Sequence, residues 1–277
     1  MSDKGQAGKK LIAGVFGRAA PTYDQVGPRF FTHFGRRLVA VAQIPVGATV
    51  LDVATGRGAV LFPAVAQVEA LGSVVGIDLS EPMLRDVAAE IRRRGLPNAT
   101  IQGMDAEQLA FQDASFDRVL CGFALFFFPD LDRALGEFFR VLKPGGLLAA
   151  STWGPMDDRW SWVSGVLKTY QEPVQLTSQN LDNPLETQAI VHRAGFDAVQ
   201  VIPEEGEFVY QTEEEWWAAR WSYSSRASLE RMSPQTLEKY KADLFARMQP
   251  LKQPDGFHVK LRVFYVVGSK PMPRPTA

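Results

Sequence analysis

The stretch that decides the fold is "VLDVATGRGAV", residues 50–60. An apolar run ends on Asp52, and five of the six residues after Val53 are small: Ala54, Thr55, Gly56, Gly58 and Ala59. Glycine is a weak former of helix and strand interiors and alanine a weak former of strands, so the segment reads as a sharp corner between strand and helix. Gly56 and Gly58 permit a left-handed backbone and remove Cβ bulk. The helix start beyond them leaves N–H groups without intrahelical partners, aimed at the same space. A tight strand-to-helix turn with no ligand also favours glycine, so the corner alone does not make a site.

Outward from the corner the pattern is regular over residues 45–152. "ATVLDVA", "SVVGID", "ATIQGMD", "SFDRVLCGFAL" and "LLAASTWG" read as five short apolar strands, and "KPGG" as the turn before the last. Between them lie the helical stretches "AVLFPAVAQVEALG", "EPMLRDVAAEIRRRG" and "DLDRALGEFFRVL". Ser80 stands where an N-cap belongs, Pro82 in the first turn and Gly95 at the stop. Apolar strands separated by helices form a parallel sheet covered on both faces, an α/β fold. Right-handed crossovers bring the loops after the strands to one edge, where open α/β sheets bind ligands. Asp52, Asp78, Asp105, Gly122 and the residues after Thr152 therefore belong to the ligand edge.

Outside that region "GPRFFTHFGRRLVAVAQ" reads as an amphipathic helix before the core. "NPLETQAIVHRAGF", "TEEEWWAARWS" and "SPQTLEKYKADLFARM" read as helices, "DAVQVIPEEGEFVYQ" as a strand or hairpin, and "HVKLRVFYVVGSK" as a final strand. The polar residues 1–8 and the proline-rich "KPMPRPTA" read as weakly structured ends.

The chain has 277 residues, 46% hydrophobic and 22% charged, which suits one elaborated globular domain. Its formal net charge is −1, which gives no electrostatic reason to expect nucleic acid or an anionic membrane. The single cysteine, Cys121, excludes an intrachain disulfide and a multi-cysteine metal site, so no metal is expected. No secretory signal or membrane-length apolar run is apparent, and a cytoplasmic protein is expected.

Asp78 lies twenty residues beyond Gly58 and can accept both hydroxyls of a ribose placed over the corner. Asp105, followed by Ala106 and Glu107, can accept the exocyclic amine of a base. Asp52 can organise the corner or meet a cation. A dinucleotide would want a third glycine near position 61, where this chain has Leu61. S-adenosylmethionine has no phosphate, and an acidic, glycine-lined corner suits it better. Arg57, the one cation of the corner, is expected to point outward.

These residues resemble the class I S-adenosylmethionine-dependent methyltransferases, in the branch of the ubiquinone and menaquinone C-methyltransferases and their small-molecule relatives. The likeness spans roughly residues 11–155. "VLDVATGRGAV" is similar to the first family motif, with Ala54 where many members have glycine. "VVGIDLSEPML" is similar to the ribose motif, in which Met83 matches a methionine that packs on the adenine and Leu79 is a further cofactor-binding candidate, and "GMDAEQLAF" to the adenine motif. "SFDRVLCGFALFFFPD", which includes Gly122 and Phe123, and "RVLKPGGLLAAS" match the fourth- and fifth-strand motifs. "VFGRAAPTYDQ" is similar to an N-terminal element whose tyrosine, here Tyr23, folds over the cofactor.

The resemblance implies a Rossmann-like fold with a largely parallel seven-stranded sheet, helices on both faces and an α-helical cover. It implies N-terminal cover helices in 1–44, a cofactor core in 45–155, and a substrate cover with the last strands in 156–277. It implies S-adenosylmethionine as cofactor and methyl transfer to N, O or C of a small molecule by a monomer or homodimer. A cyclase or a mere binder of the cofactor on the same fold remains an alternative, as does a quinone-precursor C-methyltransferase. Three consecutive phenylalanines, Phe126–Phe128, stand where quinone enzymes often carry polar residues.

Aromatic residues gather where the acceptor should lie: Phe126, Phe127, Trp153, Trp160, Trp217 and Trp221 are candidate lining residues for a planar or lipophilic molecule. His33, on the N-terminal cover helix, is the candidate general base. Arg220 reads as a surface partner of Glu213–Glu215, with an anionic substrate group as the other reading.

Overall fold

The computed structural model describes residues 3–273. Two helices precede the sheet, α1 (Asp3–Ala19) and α2 (Phe30–Val41). Then come β1 (Thr49–Val53), α3 (Leu61–Val68), β2 (Ser73–Asp78), α4 (Glu81–Arg94), β3 (Ala99–Gly103), β4 (Phe116–Gly122), α5 (Leu131–Val141) and β5 (Leu142–Trp153). The remainder forms α6 (Trp162–Tyr170), α7 (Pro184–Arg193), β6 (Asp197–Tyr210), α8 (Glu213–Arg220), α9 (Arg226–Leu229), α10 (Pro234–Met248), β7 (Lys252–Gln253) and β8 (Gly256–Ser269).

The strands form one sheet in the order β3-β2-β1-β4-β5-β8-β6. β3 to β5 run parallel; β8 is antiparallel to β5 and β6 antiparallel to β8. This is the expected seven-strand path with one addition. β7 is a two-residue strand that pairs only with the start of β8, through Lys252↔Phe257 and Gln253↔Gly256. A pairing so short, set by a turn, leaves no apolar run to read. β5 begins earlier than expected because the "KPGG" segment stays in the strand, with Gly145 at φ 75°.

The central strands β1 and β4 are buried on both faces, with Val50, Leu51, Val53, Val119, Leu120 and Cys121 at 0% exposure, as helices on each side require. Burial holds the Cys121 thiol far above its ordinary pKa, so it acts as a core residue. Gly95 ends α4 in the left-handed conformation as expected. Ser80 occupies the N-cap of α4, but its hydroxyl makes no cap bond; its backbone N–H instead donates to Asp78.

The expectation of a weakly structured N-terminus is corrected from Asp3 onward. Residues 3–8 belong to α1, whose Val15 and Ala19 are fully buried. Residues 1, 2 and 274–277 of the expected weak ends lie outside the described residues. A second apolar cluster, separate from the sheet core, joins α6, α8 and α10 around Trp160, Trp216, Trp217, Tyr240 and Leu244. Among the described residues no helix is long and apolar enough to cross a membrane.

Candidate active site

The chain crosses from one half of the sheet to the other between β1 and β4, the switch point where open α/β sheets leave a crevice. The corner after β1 enters that crevice through Ala54 and Gly56. Ala54, Gly56 and Gly58 all take the left-handed conformation, at φ 54°, 51° and 82°. At Gly58 a Cβ would lie 2.5 Å from Cε2 of Phe62, so this glycine serves the turn itself and does not line the crevice. Phe123, after β4, is also left-handed, at φ 53°. Two non-glycine residues in this conformation at adjacent strand ends, both facing the crevice, mark a stretch where backbone strain is held by its surroundings.

Asp78 ends β2. Its Oδ2 accepts from the Gly56 N–H at 2.9 Å and its Oδ1 from the Ser80 N–H at 2.8 Å. The carboxylate is thereby tied to the corner while each oxygen keeps acceptor capacity. Burial raises its pKa, opposed by the Ser80, Gly56 and Leu79 N–H groups. Asp52 stands behind the corner. It is buried, accepts from the Thr55 hydroxyl at 2.6 Å, and does not line the crevice. Asp52 and Thr55 thus form the internal brace of the loop, and Asp52 is not placed to meet a cation in the cavity. Arg57 points away as expected, donating to the Ala20 carbonyl at 2.6 Å and to Asp86 at 3.0 Å.

Asp105 follows β3 and faces the cavity beside Ala106. Its two oxygens receive Lys9 Nζ of α1 at 3.0 and 2.7 Å, and its Oδ1 also receives the Glu107 N–H at 2.9 Å. Glu107 itself is buried beneath, between Lys9 and the Asp130 N–H. It joins α1 to the core rather than lining the cavity.

The roof comes from the two N-terminal helices. Ile12, Ala13 and Phe16 of α1 face the cavity. Tyr23 stacks on Phe31 at 4.8 Å and lies over the corner, with its Cε1 3.9 Å from where a Gly56 Cβ would stand. Asp24 accepts from the Phe31 and Thr32 N–H groups and so caps α2. The Tyr-Asp pair therefore has two jobs: one residue covers the corner and the next fixes the helix against which the first stacks.

The cavity encloses about 1010 Å³ and continues past the corner into an aromatic compartment. Phe123 stacks on Trp153 at 4.1 Å, and Trp160 stacks on Trp216 at 5.5 Å. Phe126 and Phe127 line the wall as the sequence suggested. Trp217 and Trp221 do not. Trp217 turns toward Tyr240 of α10, 6.1 Å between centroids, and Trp221 packs against Trp217. One step along a helix rotates a side chain by about 100°, so Trp216 takes the lining place that Trp217 was expected to fill. The segment 171–182, with no helix or strand, forms another wall, pinned by Ser178 to the carbonyls of Phe126 and Phe128 and by Val174 to Ser228.

His33 is placed outside this cavity. Its side chain is 49% exposed, 3.6 Å from Glu204, because the buried face of α2 is taken by Phe30, Phe34 and Leu38. His192 lies on α7 and His258 pairs with Asp255, so none of the three histidines lines the cavity. Arg220, expected on the surface, instead lines it. The three acids offered to it are engaged elsewhere: Glu213 with Lys252 and Gln249, Glu214 with Lys241, and Glu215 with the Gln211 N–H. Among the described residues no three potential metal ligands gather.

Comparison with known proteins places residues 51–150 in a match to the methyltransferase domain model. Aklanonic acid methyltransferase from Streptomyces is 40% identical over a stretch covering 51% of this chain and 64% of that one. Nocamycin O-methyltransferase from Saccharothrix syringae is 40% identical over 56% of this chain and 55% of that one. The match thus spans less than two thirds of either protein. Demethylmenaquinone methyltransferase from Listeria welshimeri is 32% identical, covering 58% of this chain and 70% of the relative. Two solved structures share the fold at a TM-score of 0.60: the YcgJ protein of Bacillus subtilis, 21% identical over 87% of this chain and 100% of that one, and the [4+2]-cyclase SpnF, 20% identical over 98% and 96%.

Proposed function

The chain belongs to the class I S-adenosylmethionine-dependent methyltransferases, and from that premise we propose that it binds S-adenosylmethionine at the β1 corner and methylates an oxygen of a lipophilic small molecule held in the aromatic compartment. The observation that carries the proposal is continuity: the carboxylates of Asp78 and Asp105 and the aromatic walls open into one cavity.

The donor set fits an adenosyl sulfonium compound. Strand-end carboxylates face the crevice, and the nearest cation, Lys9, is bound by Asp105 and Glu107, so nothing there is arranged to clamp a pyrophosphate. Asp78 would accept the ribose hydroxyls with the capacity its backbone bonds leave open. Asp105 would share its Oδ2 with the base amine, Leu79 and Met83 would flank the base, and Tyr23 would close over the sulfur side. When bound, the sulfonium supplies an electrophilic methyl carbon, to which the acceptor oxygen bonds as the C–S bond breaks and its electron pair returns to sulfur. The protein's share is alignment, which can contribute about 7–11 kcal/mol, and exclusion of water by the aromatic walls.

No histidine lines the cavity, and burial holds the Tyr23 phenol protonated, far above its ordinary range. An acceptor oxygen that is already ionised at neutral pH needs no protein base, which favours an acidic acceptor. Of the two 40%-identical relatives, one is named an O-methyltransferase, which agrees with oxygen as the target, and the other is named for an acid substrate. The likeness to the cyclase lies at the level of fold. In this reading one domain has its N-terminal cover helices in 1–44, its cofactor core in 45–155, and its substrate cover with the last strands in 156–277.

The test is incubation of the full chain with methyl-labelled S-adenosylmethionine and fractionated extracts rich in aromatic acids. Label is expected in an extractable product one methyl group heavier than its acceptor. Consumption of the cofactor without a methylated product, or no turnover with any fraction, contradicts the proposal.

A further inference from the structure

Arg220 is the last residue of α8, and its guanidinium borders the acceptor compartment. Its Nε is buried without a hydrogen-bond partner. Among the described residues it makes no ion pair and no side-chain hydrogen bond, although Asp182 also borders the cavity. Its one directed contact is with the ring of Trp216, 5.1 Å from the centroid. An arginine carries five N–H donors and stays charged. Leaving such a group half-buried among aromatic rings, with every neighbouring glutamate committed elsewhere, is costly unless a ligand completes it.

The groups around it agree. The Tyr210 phenol is raised well above its ordinary value by burial and by Tyr223, and the positive charge of Arg220 opposes that rise. The same charge opposes the rise that burial causes at Tyr240. Arg220 is thus a positive pole on a wall of rings and hydroxyls, with Tyr210, Tyr223 and Ser224 beside it, while Asp182 borders the same cavity from segment 171–182. It also stands apart from the cofactor corner. From Tyr23 over Gly56, contacts pass to Phe31 at 4.8 Å, to Phe30 at 4.5 Å and to Tyr223 at 6.0 Å before the α8 end is reached.

We infer that Arg220 is an anion-binding residue of the acceptor compartment, selecting acceptors that carry a carboxylate on a planar apolar body. The inference rests on the methyltransferase reading for the name of the compartment, and its test is separable from that reading. Two planar probes of matched shape, naphthoate and naphthamide, are titrated into the full chain with and without saturating S-adenosylhomocysteine. The wild type is expected to bind naphthoate at least ~10-fold tighter, since hydrogen bonds between ionised partners are about twice as strong as neutral ones. Arg220→Met should bring the two probes to parity while S-adenosylhomocysteine affinity and thermal midpoint stay unchanged, and Arg220→Lys should restore part of the preference. Parity in the wild type, including no measurable binding of either probe, or a preference that survives in Arg220→Met, overturns the inference. Failure of S-adenosylhomocysteine to bind, with the naphthoate preference intact, would instead count against the proposed cofactor.

Discussion

Asp78 bears the most weight of any single side chain, because two backbone N–H groups aim it and the remaining acceptor sites face the crevice. Asp78→Ala should weaken S-adenosylhomocysteine binding by roughly 10–100-fold, the loss of hydrogen bonds to a charged group, with the circular dichroism spectrum unchanged; calorimetry reads it. Gly58→Ala should act differently. The added Cβ meets Phe62 in a left-handed turn, so stability should fall by about 1 kcal/mol or more in urea denaturation. Asp52 supplies a pH signature. Burial lifts its carboxyl to about 7, the Thr55 hydroxyl works against the rise, and Asp78 adds to it. A carboxyl with a higher pKa folded than unfolded holds its proton more tightly when folded, so this group costs stability as pH climbs from the ordinary carboxylate value to about 7. In the cofactor-free protein the urea midpoint should fall as pH rises from about 4 to about 7, and Asp52→Asn should flatten that fall. Asp52 and Asp78 are visible in "VLDVATGRGAV" and "VVGID" as acids at strand ends, and Gly58 as a turn former. Which of them faces a ligand and which braces the loop is not, because that depends on χ angles and partners rather than on spacing.

Among the elements, the cover helices are where the sequence was least explicit. α1 shows its contact face as Ile12, Val15, Phe16 and Ala19, a helical spacing, yet its polar start masks it. What secures it is Lys9, gripped by Asp105 and by the buried Glu107 from 96 and 98 residues away. Lys9→Met leaves Glu107 buried without its cation, and amide exchange across Asp3–Ala19 should quicken ahead of global unfolding. α2 rests on the glycine corner at Gly35, where a Cβ would collide with the Ala59 carbonyl. Gly35→Ala should therefore lower both the melting temperature and S-adenosylhomocysteine affinity, by lifting the helix that carries Phe31 and so the floor under Tyr23. On α8 the aromatic content was legible and the inward face was not. "EEEWWAAR" offers two adjacent tryptophans, and only docking against α10 decides that Trp217 turns away while Trp216 and Arg220 face the cavity.

The sheet as a unit follows closely from alternating apolar runs and helical stretches, since a parallel strand buried on both faces has little freedom of register. The switch between β1 and β4 then fixes where the crevice opens, and the same topology brings corner, carboxylates and aromatic walls to one cavity of about 1010 Å³. The aromatic compartment is legible only as composition, because segment 171–182 and the β6–α8 region are shaped by long-range packing without periodicity. The most direct measurement is calorimetric titration of S-adenosylhomocysteine into the full chain, with nicotinamide dinucleotide as competitor. Binding of one equivalent, indifferent to the dinucleotide and sharply weakened in Asp78→Ala, is the expected result. No heat at millimolar ligand, or displacement by the dinucleotide, would contradict it.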